Sequence, residues 1–438
     1  MNNNYNRWIE LGLEKGLTDI EIHINEKTNL MINVYNQKVE QNEISKMKTA
    51  KIKGIFNGKV SFVSVENLSD NNISLMIDHL IDSAKHITAN EPAIIYEGSN
   101  NYLKDDTDRF DFSKINTLDK IKLMKEIERG ILNNPLVETV SDISYNEVET
   151  KTKIINSKGL NLERHNTYAM IYTNATYKKN NQVKSGMSYQ IVNKYDDIDK
   201  NHLINDNIIN GTSQLGASTI KSNKYPVIID KEQVGDLISS FSSIFSGEAA
   251  YRNLTKLQDK ENEIIASSIV NLIDSPMHKE SIFKYPFDNE GVACKERYWI
   301  KQGVFTGFSH NLKTAKIFKT NSTGNGFFNS ITPTNLVLEP GPFSFDELVV
   351  SIKDGVYITD LIGLHAGVET VSGDFSLQAA GFLIKNGQIT KPVDMIVVSG
   401  NFYDLLKNIT MIANDFKFGM SGVGSSSIKI KELMIAGE

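Results

Sequence analysis

The sequence predicts an α+β protein: a mixed helix and antiparallel-sheet N-terminal half followed by a large β-rich C-terminal domain. Three observations carry this. Apolar residues alternate with polar ones at period two in many stretches, as in Ile20, Ile22, Ile24 and then Leu30, Ile32, Val34, which is the pattern of half-buried strands. Helical periodicity recurs before residue 222, for example Ile73, Met76, Ile77, Leu80, Ile81, Ala84. Beyond the helix that begins near Glu232, strand-like runs are punctuated by Gly, Asn and Pro to the end. Segregated helices and antiparallel strands define the α+β class. A chain of 438 residues exceeds one compact core, so two regions are expected: 1–222, with sub-parts at about 1–90 and 110–222, and 223–438.

The elements follow in order. Residues 5–16 read as a short helix closed by Gly16. Two strands follow at 20–24 and 30–34, and then a hairpin turning at Asn57-Gly58, a dipeptide that tolerates the positive φ of a tight turn. Residues 69–89 read as a helix capped by Ser69 or Asp70, 97–116 as an exposed loop, and 117–133 as a helix. A meander spans 136–195 with a turn at 156–159, and 200–220 reads as helix. A strand at Val227–Ile229 leads into a helix from about Glu232 that Gly247 stops. Near the end, a strand at Met395–Val398 reaches a Gly-Asn corner and a helix from about Phe402, with Asn401 or Asn414 as cap or turn.

Composition narrows the function classes. The 40% hydrophobic and 23% charged content is that of an ordinary globular protein, and the net charge is −6. An acidic balance argues against direct nucleic-acid binding, which needs clustered positive charge. Six of the 47 basic residues are Arg. The single cysteine, Cys294, has no internal partner, as in a reducing compartment. The start, MNNNYNRWIE, lacks the apolar core of a signal peptide, and no apolar run reaches the roughly 18 residues of a membrane span. A cytoplasmic location without membrane contact is expected.

The search for chemistry returns little. No pair of the eight histidines forms H-E-x-x-H, the spacing that places two ligands on one helical face. His79 and His86, with Asp82 between them, read as a solvated helix face. Cys294 reads as a small buried side chain on a strand, since a nucleophilic thiol needs a base beside it. SSFSSIFSG and SGVGSSS contain no G-x-S-x-G elbow; they read as a close-packed helix and a turn before the last strand. STGNGFF (322–328) lacks the Lys of a phosphate loop and reads as a bend or a backbone surface for an extended ligand. The stretch GLHAGVETVSGDFSLQAAGFLIKNG (363–387) reads as a loop, 364–374, entering a central strand. Its role is structural, or it faces a peptide or a partner subunit. His365 has no acid or nucleophile beside it in sequence. The candidate binding residues are His365, Gly367, Ser372, Asp374 and, from STGN, Asn325; none is assigned as catalytic or as a metal ligand.

GLHAGVETVSGDFSLQAAGFLIKNG followed by SGNFYDLLKNITMIANDF resembles the TldD/PmbA family, historically modulators of DNA gyrase, within its PmbA or TldE branch. DNEGVACKERYWIKQGVFTGFSHN and STGNGFF are similar to the family's DDEG…GVL…STGN pattern. The resemblance covers essentially the whole chain. It implies a cytosolic peptidase system in which a TldD subunit carries zinc on an H-E-x-x-x-H helix. That subunit pairs with TldE to cut unfolded or leader-type peptides, and the family assembles as dimers. Here the corresponding helix reads LISSFSSIFSGEAAYRN, and the region expected to hold a Cys ligand reads FGMSGVGSSSIKIKEL. The resemblance therefore implies a subunit without a cofactor of its own, zinc being expected only in a TldD-like partner. Such a subunit would form a homodimer when alone. Two alternatives stay open: an autonomous peptidase or hydrolase, and a gyrase- or toxin–antitoxin-linked binding protein.

Overall fold

The computed structural model describes residues 4–66, 69–88, 91–327 and 330–438. The chain divides into two compact units; the first takes residues 1–212 together with 282–294 and 311–328. Its frame is an antiparallel sheet of β1 (Asp19–Tyr35), β2 (Lys38–Phe56), β3 (Lys59–Glu66), β4 (Val137–Asn156), β5 (Asn161–Lys179) and β6 (Gln182–Val192), in the order β3-β2-β1-β4-β5-β6. The alternation read as two strands at 20–24 and 30–34 is one strand of 17 residues, in unbroken register with β4 from Glu21 to Val34. The turn after β2 has φ of 49° at Asn57 and 73° at Gly58, the paired positive values of a tight hairpin turn.

Helices α1 (Tyr5–Glu14), α2 (Ile73–Lys85), α3 (Thr117–Leu132) and α4 (Lys200–Thr212) pack on this sheet. Ile22, Ile32, Tyr145 and Ile171 are fully buried, and register places Ile32, Tyr145 and Ile171 side by side across three strands. Trp8, Ile20, Ile24, Ile77 and Leu80 join Ile22 in one apolar cluster. The cap of α2 is Asn72 rather than Ser69 or Asp70. Its Oδ1 accepts from the Ser69 N–H, and Asp70 accepts instead from the Trp8 indole. Helix α4 ends at Thr212, short of the expected 220.

A second cluster of Ile154, Leu160, Phe287, Tyr102 and Leu162 forms around the far ends of β4 and β5. It anchors the segment expected as an exposed loop. Tyr102 Oη donates to the Gly291 carbonyl (2.8 Å), Arg109 Nε donates to the His165 carbonyl, and Phe112 is buried.

The remaining elements begin with β7 (Asn223–Ile229), α5 (Lys231–Phe241), α6 (Gly247–Tyr251), β8 (Leu272–Asp274), β9 (Arg297–Lys301) and β10 (Val304–Phe305). Then come α7 (Leu312–Ile317), β11 (Gly326–Phe327), β12 (Ser330–Ile331), β13 (Leu336–Leu338), α8 (Phe345–Val350) and β14 (Asp354–Ile362). The chain ends with β15 (Asp374–Lys385), β16 (Gln388–Asn401), α9 (Phe402–Lys407), β17 (Ile409–Ile412), β18 (Lys417–Phe418), β19 (Gly424–Ser425) and β20 (Ile428–Ala436).

The second unit takes residues 213–281, 295–310 and 329–438. One of its sheets runs β16-β15-β14-β7-β20-β17, and β16 also pairs with β20 through Val397–Ser399 and Met434–Ala436, so five strands close on themselves. Its other sheet runs β10-β9-β8-β13-β19-β18. Both feed one core with α5: Val227, Val356, Leu377 and Ile430 from the first, Trp299 and Leu336 from the second, Leu237 and Phe241 from the helix. Gly247 does not stop a helix. The chain leaves α5 at Phe241, makes a 3-10 turn over Ser242–Phe245, and starts α6 at Gly247 with Ser246 as cap.

Closure brings backbones close. A Cβ on Gly381 would sit 1.9 Å from the Tyr357 carbonyl oxygen, a contact that strand pairing leaves no room to relieve. Gly381→Ala is expected to destabilise the protein by about 1–3 kcal/mol, read as a lower urea midpoint at unchanged slope.

Candidate functional site

Helix α5 is set by β7 and β14. Asp230, at the end of β7, caps the helix by accepting from the Glu232 N–H (3.0 Å) and receives the Tyr357 hydroxyl of β14 (2.7 Å). Burial pushes this carboxyl above its usual range, and the Tyr357 bond opposes the shift. At Gly235 the helix meets the segment 417–427: a Cβ there would lie 3.0 Å from Ser425 Oγ and 3.2 Å from the Val423 carbonyl. Ser425 Oγ donates to the Lys231 carbonyl (2.6 Å), Lys417 donates to Glu232, and Lys231 pairs with Asp415 at 3.3 Å. Tertiary structure thus joins the helix and the late segment, almost two hundred residues apart, at which the resemblance puts the zinc ligands of the catalytic branch.

The donors offered there are not those of a zinc site. Zinc takes thiolate, imidazole or carboxylate. Ser240 Oγ donates to the Asp236 carbonyl and Ser242 Oγ to the Ser239 carbonyl, both at 2.8 Å. Ser427 Oγ donates to Asp415 at 2.8 Å. Asp236, held above its usual range by burial, is the acidic side chain of this part of α5. Among the described residues, no three His, Cys, Asp or Glu side chains are grouped closely enough to hold a metal ion. The residues present therefore do not fit zinc. Hydroxyls bonded to carbonyls of their own helix are also poor nucleophiles, since activation needs a base.

The loop between β14 and β15 is ordered by its own bonds. The N–H groups of Ala366 and Gly367 both donate to the Gly363 carbonyl, and Ser376 N–H donates to that of Gly367. Gly367 has no room for a side chain: a Cβ would lie 2.4 Å from the Ser376 carbonyl. Leu364 and Val368 pack on the core of the unit. At the loop's end Asn401 Nδ2 donates to the Ser372 carbonyl and to Asp374 Oδ1, each at 2.8 Å, while its Oδ1 caps α9 at the Tyr403 N–H. Hydrogen bonds from Asn401 and Ser372 hold Asp374 below its usual carboxyl range. Lys256 Nζ donates to the Ser372 carbonyl (2.7 Å) and lies over the Tyr403 ring. Phe402, next to Asn401, stacks on Phe241 of α5 at 4.3 Å between ring centres. So the loop and α5 are joined through one aromatic pair.

Of the residues singled out in sequence, Gly367, Ser372 and Asp374 lie in this ordered loop. His365 is exposed at its tip and makes no hydrogen bond to the described residues. Asn325 lies elsewhere, in the first unit, 1% exposed, accepting from Thr323 Oγ1 at 2.6 Å. Asn401, expected only as a cap or turn, proves to be the tie of the loop. Lys256 was not legible, because nothing local marks a lysine that reaches 116 residues onward.

In the first unit the DNEG and STGN motifs meet. Asp288 Oδ1 accepts from the N–H groups of Glu290 and Val292, and its Oδ2 from Gly326. Glu290 Oε2 accepts from the Leu312 N–H at 2.7 Å. Cys294 is buried as expected but lies outside any strand, its thiol donating to the Gly324 carbonyl. Burial, and after it the Glu290 carboxylate, push Asp288 up to about 8; burial raises Glu290 too. These two carboxyls escaped the sequence reading because burial is not written in a motif.

Two family models match the chain: the PmbA/TldA metallopeptidase central domain over residues 110–211 and the PmbA/TldA metallopeptidase C-terminal domain over 222–437. The chain is 25% identical to a metalloprotease PmbA homolog of Buchnera aphidicola over 98% of this chain and 95% of that protein. Among solved structures, a modulator of a DNA gyrase from Thermotoga maritima is 29% identical, with a TM-score of 0.91 over 99% of both chains. TldE from Thermococcus kodakarensis, 21% identical, shares the fold with a TM-score of 0.90 over 99% of this chain and 100% of that one.

The buried carboxyl pair makes a pH prediction. A folded pKa above the unfolded one means that stability is full below the unfolded value, near 3.8 for Asp288, and is lost as pH rises toward about 8. The melting temperature is expected to fall by several degrees between about pH 6 and pH 8.5. Glu290→Gln keeps an acceptor for Leu312 and removes the like charge, so it is expected to flatten that fall.

Proposed function

The chain belongs to the PmbA/TldD metallopeptidase family, and on that premise we propose that it is the TldE-type subunit of a two-chain peptidase. It supplies no metal of its own and completes a TldD-like partner that does. The observation that carries this reading is the meeting of α5 with segment 417–427. It packs α5 on the late segment at Gly235 and Ser425 while presenting serine hydroxyls, backbone and the Asp236 carboxyl, the carboxylates of Glu232 and Asp415 being paired with Lys417 and Lys231. A Lewis acid that activates water needs several anionic or imidazole ligands held together, and among the described residues this junction groups no such set. The metal-dependent step therefore belongs to another chain.

In this reading the 363–374 loop serves peptide or partner contact. Self-contained bonds order it, and they leave the His365 side chain exposed. A backbone ordered in this way can receive an extended peptide by strand addition, which suits unfolded or leader-type substrates that present no shape of their own. Asn325, in the STGN bend, belongs to the same reading as a residue that shapes a backbone surface. The protein acts in the cytoplasm and associates with a second copy when its partner is absent.

Two outcomes are expected. After chelator treatment and dialysis, elemental analysis finds far less than one zinc per chain, while mixing with an H-E-x-x-x-H-bearing paralogue yields zinc-dependent cleavage of an unfolded peptide. One tightly held zinc per chain would overturn the reading. In the mixed system His365→Ala and Asp374→Ala each lower cleavage about three-fold, mainly through weaker peptide or subunit binding. Loss of turnover at saturating peptide and partner, with the complex intact, would make His365 part of the chemistry.

A further inference from the structure

On the outside of the closed sheet of the second unit, a cleft of about 410 Å³ is lined by Ser351, Lys353, Asp354, Lys429 and Lys431 among others. Three lysines line it, in a chain whose net charge is −6. Lys353 and Lys431 have no ion-pair or hydrogen-bond partner for their amines among the described residues. Lys429 Nζ donates to Ser351, through its hydroxyl (2.8 Å) and its carbonyl (3.4 Å), so it too lacks a counter-charge. Burial pulls Lys429 below the usual amine range, as for a cation short of an anion. The one acid on the rim, Asp354, is already paired with Lys385 at 2.7 Å. The walls are firm. Lys429 and Lys431 lie on one strand, both lining the cleft, and Ser351 closes the end of α8.

We infer that this cleft binds the polyphosphate group of a small phosphorylated ligand. Three lysines without a carboxylate partner around one cavity favour an anion of several charges in a small volume. Lysines act as point charges that suit phosphate oxygens, whereas the bidentate fork that favours planar carboxylates is the property of arginine, and no arginine lines the cleft. This site is independent of the peptide reading of the 363–374 loop.

The test is calorimetric titration of the full chain with sodium tripolyphosphate, ATP and citrate at low ionic strength, where screening is weakest. Tripolyphosphate is expected to bind saturably with a Kd below about 1 mM and to weaken steeply with added salt. Lys353→Gln with Lys431→Gln should weaken it at least about ten-fold, Lys429 being left in place because it also closes α8. Lys38→Gln with Lys46→Gln, exposed on β2, removes the same charge and should change it less than about two-fold. Tighter binding of ATP would name a nucleotide as the source, and equal binding the phosphate chain alone; both support the site. No saturable binding, equal affinity for citrate, or equal losses from the two double variants would overturn it.

Discussion

The constraint on which the second unit depends is that β16 has two partners. One edge of the strand runs along β15, and three residues at its far end, Val397–Ser399, pair with β20. Over those three residues the strand has no free edge, and closure links tilt and register. Two sharp consequences follow. Gly381 must be glycine, because the Tyr357 carbonyl occupies the place of its side chain. And the interior must be filled by apolar residues drawn from all five strands and from α5. The helix is therefore held by the barrel as much as by its own propensity.

That rigid setting also decides where α5 lies. The position of α5 is decided by the Asp230 cap, the Tyr357 hydroxyl, the Ser425 and Lys417 contacts and the Phe241–Phe402 stack. None of these requires a metal ligand. Ser240 and Ser242 instead donate to carbonyls of the turn before them. The same anchoring residues carry order onward to the loop, since Phe402 and Asn401 are neighbours in sequence. One fold can host different functions where the side chains that build the frame differ from those that do chemistry.

The first unit is organised differently, around an antiparallel sheet in which four strands run to 17–20 residues, beyond the ordinary length. It recruits two later segments, 282–294 and 311–328, and ties them through Asp288 and Glu290 to backbone N–H groups. Carboxylates that accept main-chain donors fix loops without needing neighbouring side chains. Here the cost is a pair of like charges in a buried place, which ties this part of the structure to pH.

The sequence by itself determined the class, the order of most elements and the family. Period-two alternation, the Asn57-Gly58 turn and the long ordered motifs around 288–291, 322–325 and 363–387 are local or contiguous, so they survive in one dimension. It also determined that no histidine pair forms H-E-x-x-H. Tertiary structure alone decided the rest. Strands 20–24 and 30–34 merged because β4 supplies one continuous partner across the polar residues between them. Ser69 and Asp70 lost the cap to Asn72 because Trp8 claims Asp70. Gly247 became a helix start because Ser246 bonds the Ala249 N–H and His310 fills the space a side chain there would need. Asn325 separated from the loop it was grouped with, and Asn401 and Lys256 joined it. Each of these outcomes turns on which distant group takes up a hydrogen bond or a volume, and that choice exists only once the chain has closed on itself.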